Sequence, residues 1–204
     1  MSFSEAGGIP VSTATPVITH GPVTLPVPGR PVGLQVKVSV PVTGDDLPVI
    51  LMSHGHGPSH FISSLRGYGP VVDFWAAHGF AVIQPTHLDS TALGLREADD
   101  PDAPLYWRSR VTDMHHLLDH LADLPLLPGR IDPTRIAAVL GAEHGLGGVS
   151  MYDAAETTDE NPERVATLRA LIWSYLRTQL YPGDPAWPAA LAALPASMGT
   201  IESK

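Results

Sequence analysis

Apolar and polar residues alternate from Val32 to Val40 (VGLQVKVSV), with Leu34, Val36, Val38 and Val40 on one face and Gln35, Lys37 and Ser39 on the other. A period of two predicts a half-buried strand. Three later runs do not alternate: Leu47 to Met52 (LPVILM), Phe80 to Ile83 (FAVI) and Arg135 to Leu140 (RIAAVL). Short and almost wholly apolar, they predict strands buried on both faces, as in a parallel sheet. Between Tyr68 and His78, Val71, Val72, Phe74 and Trp75 fall at helical spacing, and Gly79 is placed to stop that helix. From Tyr106 to Leu124, Trp107, Val111, Met114, Leu118 and Leu121 line up as one stripe. That spacing predicts an amphipathic helix packed through the stripe. Asn161 is placed to cap a third helix with Pro162 in its first turn, and Val165, Leu168, Ile172, Tyr175 and Leu176 give it an apolar face.

Strand, helix, strand, helix, strand is the α/β pattern, which implies parallel strands joined by right-handed crossovers. The expectation is one α/β domain over residues 32–188, a mostly parallel sheet flanked by helices. Prolines at 10, 16, 22, 26, 28 and 31 exclude a regular helix from residues 1–31. These residues read as a Pro/Gly-rich arm in which short runs near Pro16 to Thr19 can form edge strands. Residues 189–204 read as an Ala/Pro-rich tail.

Composition narrows the function. The formal net charge is −9 over 204 residues, and the only lysines are Lys37 and Lys204. A nucleic-acid binder needs a basic stripe to meet phosphates, and an anionic membrane surface asks for the same. Neither partner is expected. The absence of cysteine excludes disulfides, thiolate zinc sites, iron–sulfur clusters and a Cys nucleophile. Residues 1–17 lack the basic and apolar regions of a leader, and no run of about 18 apolar residues is present to span a membrane. A cytoplasmic protein without a cofactor is the resulting expectation.

Two glycine-rich segments carry candidate chemistry. Ser53-His54-Gly55-His56-Gly57 directly follows a buried strand. In open α/β sheets, chemistry gathers at the carboxyl ends of strands. Glycines there let backbone N–H groups turn toward a developing oxyanion, as in the HGxG-type loop of hydrolases. The second segment is Gly141 to Gly148 (GAEHGLGG), in which His144 can take and return a proton near neutral pH. Glu143 stands at the centre of a G-x-E-x-G spacing, where a carboxylate nucleophile would sit. Ser150 is a second nucleophile candidate, and Ser53 and Ser59 flank the first turn with a structural reading. Asp89 follows the Phe80–Ile83 strand and Asp153 follows His144, so either can orient a histidine, and both also suit turns. His116 and His120 are four residues apart, a spacing that can face one metal, but the surrounding Asp113, His115 and Asp119 read more simply as the polar face of a helix. No metal is expected.

Residues 47–85, LPVILMSHGHGPSHFISSLRGYGPVVDFWAAHGFAVIQP, resemble the start of an α/β-hydrolase. The similarity is to chlorophyllase-like, platelet-activating-factor-acetylhydrolase-like and dienelactone-hydrolase-like members. Asp132 to Val139 resembles their approach to the nucleophile strand, and Glu143 to Arg164 resembles their closing histidine segment. The resemblance implies hydrolysis of a small carboxylic or lipid-like ester, with His144 as general base and the backbone at His56 and Gly57 as oxyanion hole. One departure is decisive. The family carries G-x-S-x-G after the nucleophile strand, and this chain contains no G-x-S-x-G. The central nucleophile-bearing segment is missing between Ala138 and Gly141. Hydrolysis is accordingly expected to be impaired, the alternative being a non-catalytic binding protein of the same fold. A shortened sheet would also leave an open edge through which two copies could pair.

Overall fold

The computed structural model describes residues 3–56, 63–141 and 161–202. A hairpin of β1 (Phe3–Ala6) and β2 (Ile9–Ser12) precedes the main sheet. That sheet contains β3 (Val17–Leu25), β4 (Leu34–Pro41), β5 (Leu47–Ser53), β6 (Ala81–Thr86) and β7 (Ile131–Leu140), in the order β3-β4-β6-β5-β7. The helices are α1 (Gly69–Ala77), α2 (Trp107–Asp119), α3 (Pro162–Leu180) and α4 (Ala186–Ala193).

The α/β expectation holds, with one correction to strand direction. β5 pairs parallel to both β6 and β7, whereas β4 runs antiparallel to β6 and to β3. The sheet is mixed because β4 enters it antiparallel to β6, and the Pro-rich segment extends that half with β3, an antiparallel edge. β5 and β6 are buried along their whole length, as the apolar runs Leu47 to Met52 and Phe80 to Ile83 require, and in β6 the burial extends over Gln84 and Thr86. β7 departs from expectation. It is half-exposed, and Leu140 is 56% exposed. It is the last strand in the order, so no strand among the described residues covers its outer edge.

Alternating side chains of the sheet feed two cores. On one face Ile50, Met52 and Val82 meet Val72 and Trp75 of α1, Trp173 of α3 and Ala190 of α4. On the other Val36, Val38, Val49, Leu51 and Ile83 meet Leu117 of α2 and the following Leu121, Leu124 and Leu127. The α3 cap forms as expected: Asn161 Oδ1 accepts from the N–H groups of Glu163 and Arg164 at 3.0 and 3.1 Å. Gly79, at φ +100°, turns the chain out of α1 into β6.

α2 is rotated relative to the sequence expectation. Trp107 and Val111 of the predicted stripe are 50% and 57% exposed, while Arg110, Asp113 and Leu117 are buried. Asp113 is therefore not part of a solvated polar face. Ion pairs described below draw Arg110 and Asp113 inward and leave Trp107 and Val111 on the outer side of the helix.

Candidate functional site

The carboxyl ends of β5 and β6 lie side by side because these strands are parallel neighbours. Ser53 closes β5, and it shares the α2-facing side of that strand with Val49 and Leu51. His87 and Asp89 follow β6. Arg110 and Asp113, three residues apart on α2, lie on one helix face above them.

These side chains form one continuous chain of hydrogen bonds. Arg30 Nε donates to Asp113 Oδ1 at 3.0 Å. Asp113 Oδ2 lies 2.8 Å from His87 Nδ1, and His87 Nε2 lies 3.0 Å from Ser53 Oγ. Arg110 Nη1 donates to Ser53 Oγ at 2.7 Å, and its Nη2 contacts both carboxylate oxygens of Asp89 at 2.8 Å. Asp89 Oδ2 in turn meets His56 Nδ1 at 3.0 Å. A carboxylate accepts only, so His87 Nδ1 carries the proton and its Nε2 offers a lone pair to the Ser53 hydroxyl. His87 and Asp113 are fully buried. Arg30 also donates to the carbonyls of Val32, Gly33 and Thr86, tying the N-terminal arm to the site.

The glycine turn is held from behind. Gly55 N–H donates to Tyr68 Oη at 3.0 Å, and His54 Nε2 accepts from the His87 N–H at 3.0 Å. Gly141 N–H donates to the Ser53 carbonyl at 2.7 Å, and a Cβ at Gly141 would collide with Tyr68 Oη. Only a residue without a side chain lets the Tyr68 ring reach the turn.

The electrostatics favour neutral imidazoles. Burial pushes His54 down to about 3, helped by neighbouring His87. Burial, then the Arg110 and Arg30 cations, hold His87 well below the ordinary histidine value. Burial raises Asp113 to about 6, against the opposing pull of Arg30. A pH dependence of stability follows. His54 titrates near 6.5 when unfolded, so its contribution is complete above pH 6.5 and is lost as pH falls toward 3. At about 1.4 kcal/mol per pH unit, the loss from His54 is about 2 kcal/mol by pH 5. His87 acts with the same sign. Asp113 acts oppositely, because the folded state takes up its proton first as pH falls through 6. Urea unfolding at pH 7.5 and pH 5 should therefore show a decline about 2 kcal/mol larger in the native chain than in His54→Gln. Equal declines would contradict the buried, neutral state of His54.

Beside the cluster, a groove of about 630 Å³ runs between α2 and β7. Trp107, Val111, Met114, Leu118, Ile136 and Leu140 make it apolar, and Ser53, Arg110 and His115 supply its polar groups. Arg110 Nε is buried without an acceptor among the described residues.

Of the residues singled out from sequence, His56 and Asp89 are brought together here. Gly57, Ser59, Glu143, His144, Ser150 and Asp153 lie outside the described residues. His116 and His120 stack at 4.0 Å between ring centroids, and His120 Nδ1 lies 2.8 Å from the His116 carbonyl oxygen. The sequence reading missed His87, Arg110 and Asp113. Their signals were a polar run straight after a buried strand and an Arg–Asp pair three apart on a helix.

No family profile and no curated protein matches the sequence. Solved structures do. A Klebsiella pneumoniae protein designated a dienelactone hydrolase is 16% identical, with a TM-score of 0.43, over 62% of this chain and 50% of its own. An esterase from Pyrobaculum calidifontis is 15% identical, with a TM-score of 0.38, over 86% of this chain and 43% of its own. An acetyl xylan esterase from Paenibacillus sp. R4 is 19% identical, with a TM-score of 0.39, over 72% of this chain and 42% of its own. The chain is similar to each of these structures over part of its length. It spans half or less of the length of these three structures. Among the described residues, no helix is long and apolar enough to cross a membrane.

Proposed function

We propose that the chain hydrolyses small carboxylic esters whose acyl or alcohol part is apolar. The observation that carries this reading is the apolar groove ending on Ser53 and Arg110 at the carboxyl ends of β5 and β7. Ligand sites are typically concave, mostly apolar and furnished with a few fixed polar groups. A neutral ester fits a groove in which Arg110, the one guanidinium or ammonium group among its described lining residues, is already balanced by Asp89. The resemblance of residues 47–85 to the start of an α/β-hydrolase supports the same chemistry. In this reading the backbone at His56 and Gly57 holds the oxyanion. By resemblance, His144 is the candidate general base with Asp89 as its candidate acid partner, and Glu143 is a candidate nucleophile.

The test is hydrolysis of p-nitrophenyl butyrate by the full chain, by Val111→Trp and by His144→Ala. Val111 is exposed on α2 and lines the groove, so the larger ring narrows the groove without entering a core. The expected result is a rate at least tenfold above buffer, with a raised KM in Val111→Trp. A rate no higher than buffer would overturn hydrolysis and leave the groove as a binding site for an apolar ligand. Loss of activity in His144→Ala would assign the base to that residue, and retention would place it in the hydrogen-bonded cluster.

A further inference from the structure

We infer that Ser53, His87 and Asp113 are the nucleophile, base and orienting acid of a hydrolytic site, standing in for the absent elbow serine. The inference rests on the ester-hydrolase reading above and replaces Glu143 and His144 in these roles.

Geometry carries it. A nucleophile must lie within hydrogen-bond reach of its base, and a third group must hold that base. Ser53 Oγ is 3.0 Å from His87 Nε2, and His87 Nδ1 is 2.8 Å from Asp113 Oδ2. The three come from the end of β5, from the residue directly after β6 and from α2, so two strand ends and a helix hold them close together. The array is recognised by geometry and roles rather than by sequence order. Ser53 also lines the groove, which gives its hydroxyl a route to substrate that the rest of the array lacks. Arg110 adds two features. Its Nη1 donates to Ser53 Oγ at 2.7 Å, which favours negative charge on that oxygen. Its Nε–H is a buried donor with no acceptor among the described residues.

The chemistry balances without a cofactor. Ser53 Oγ bonds to the ester carbonyl carbon as its proton passes to His87 Nε2. The carbon–oxygen bond to the alcohol then breaks, and the alcohol leaves with that proton. Water attacks the acyl group and gives its proton to Nε2. The carboxylic acid departs, and the proton returns to Ser53 Oγ. Asp113 touches no reacting atom and is a positioning residue.

The test treats the full chain with an alkyl phosphonofluoridate and maps the adduct by peptide mass spectrometry. The serine oxygen bonds to phosphorus, the phosphorus–fluorine bond breaks, and fluoride leaves with the hydroxyl proton. The expected result is a single adduct on Ser53, formed at least 100-fold more slowly in His87→Gln, in line with the roughly 10²–10⁴-fold typical of a general base. Mapping on the native chain requires no variant to fold. Asp113→Asn is expected to lower the plateau rate at least tenfold and to move the pH profile of labelling downward, since the carboxylate sustains the basicity of His87. An unmoved profile would overturn the place of Asp113 in the array. Esterase activity with an adduct elsewhere, or with none on Ser53, would overturn this inference and keep the ester reading. An adduct on Ser53 without esterase activity would keep the nucleophile and overturn the ester reading. Neither adduct nor activity would overturn both.

Discussion

Replacing Arg110 by methionine is expected to lower the unfolding free energy by about 3–5 kcal/mol, the usual cost of removing one partner from a buried ion pair. The Asp89 carboxylate is fully buried and meets Arg110 through both oxygens. Without the guanidinium, the partly exposed His56 is the one remaining side chain among the described residues that hydrogen-bonds to it. The same change withdraws donors from Ser53 Oγ and from the His54 carbonyl. Domains are stable by only about 5–15 kcal/mol, so this is a large share of the total. Urea unfolding checks it. The double variant Arg110→Met with Asp89→Leu should recover part of the loss, because no unpaired charge then stays buried. A single-variant cost below about 1 kcal/mol, the range of exposed pairs, would show that the pair is solvated.

Trp173→Ala is expected to cost about 3–5 kcal/mol, by loss of transfer free energy and by the cavity left behind. Trp173 is fully buried in the core between the sheet, α1 and α3. Its Nε1 donates to the His78 carbonyl at 3.1 Å where α1 ends, and the His78 ring meets it edge-on at 5.8 Å. Trp173→Phe keeps most of the apolar volume and loses the hydrogen bond, so about 1–3 kcal/mol is expected for leaving the carbonyl unpaired. Equal losses in the two variants would mean that packing contributes little and the hydrogen bond most.

The elements were legible wherever one physical demand ruled a segment. β4 is legible as a strand because its apolar residues alternate with polar ones from Leu34 to Val40, and β5 and β6 because their apolar runs are buried on both faces. Asn161 and Gly79 are legible because few residues meet a cap or a positive φ. β7 and α2 were misread for a shared reason. An apolar run says that a surface avoids water, but not whether a partner within the same chain covers it. The rotation of α2 depends on Arg30 and His87, which come from 83 and 26 residues earlier in the chain and cannot be read from the helix's own period. The site was half legible. Glycines and histidines after β5 mark the strand end, and Asp89 was placed at the same end. Nothing local to Ser53 announces that His87 will meet it, since that contact exists only once β5 and β6 lie parallel.

The fit of Gly141 against Tyr68 couples two positions that inheritance would otherwise treat separately. A methyl group at 141 would collide with the tyrosine hydroxyl and ring, and that hydroxyl holds the Gly55 turn. Position 141 can therefore accept a larger residue only in a lineage that has first shortened residue 68 and found another acceptor for Gly55. Evolution toward a different turn would have to pass through residue 68, on the far side of the glycine loop, before the strand end itself could change.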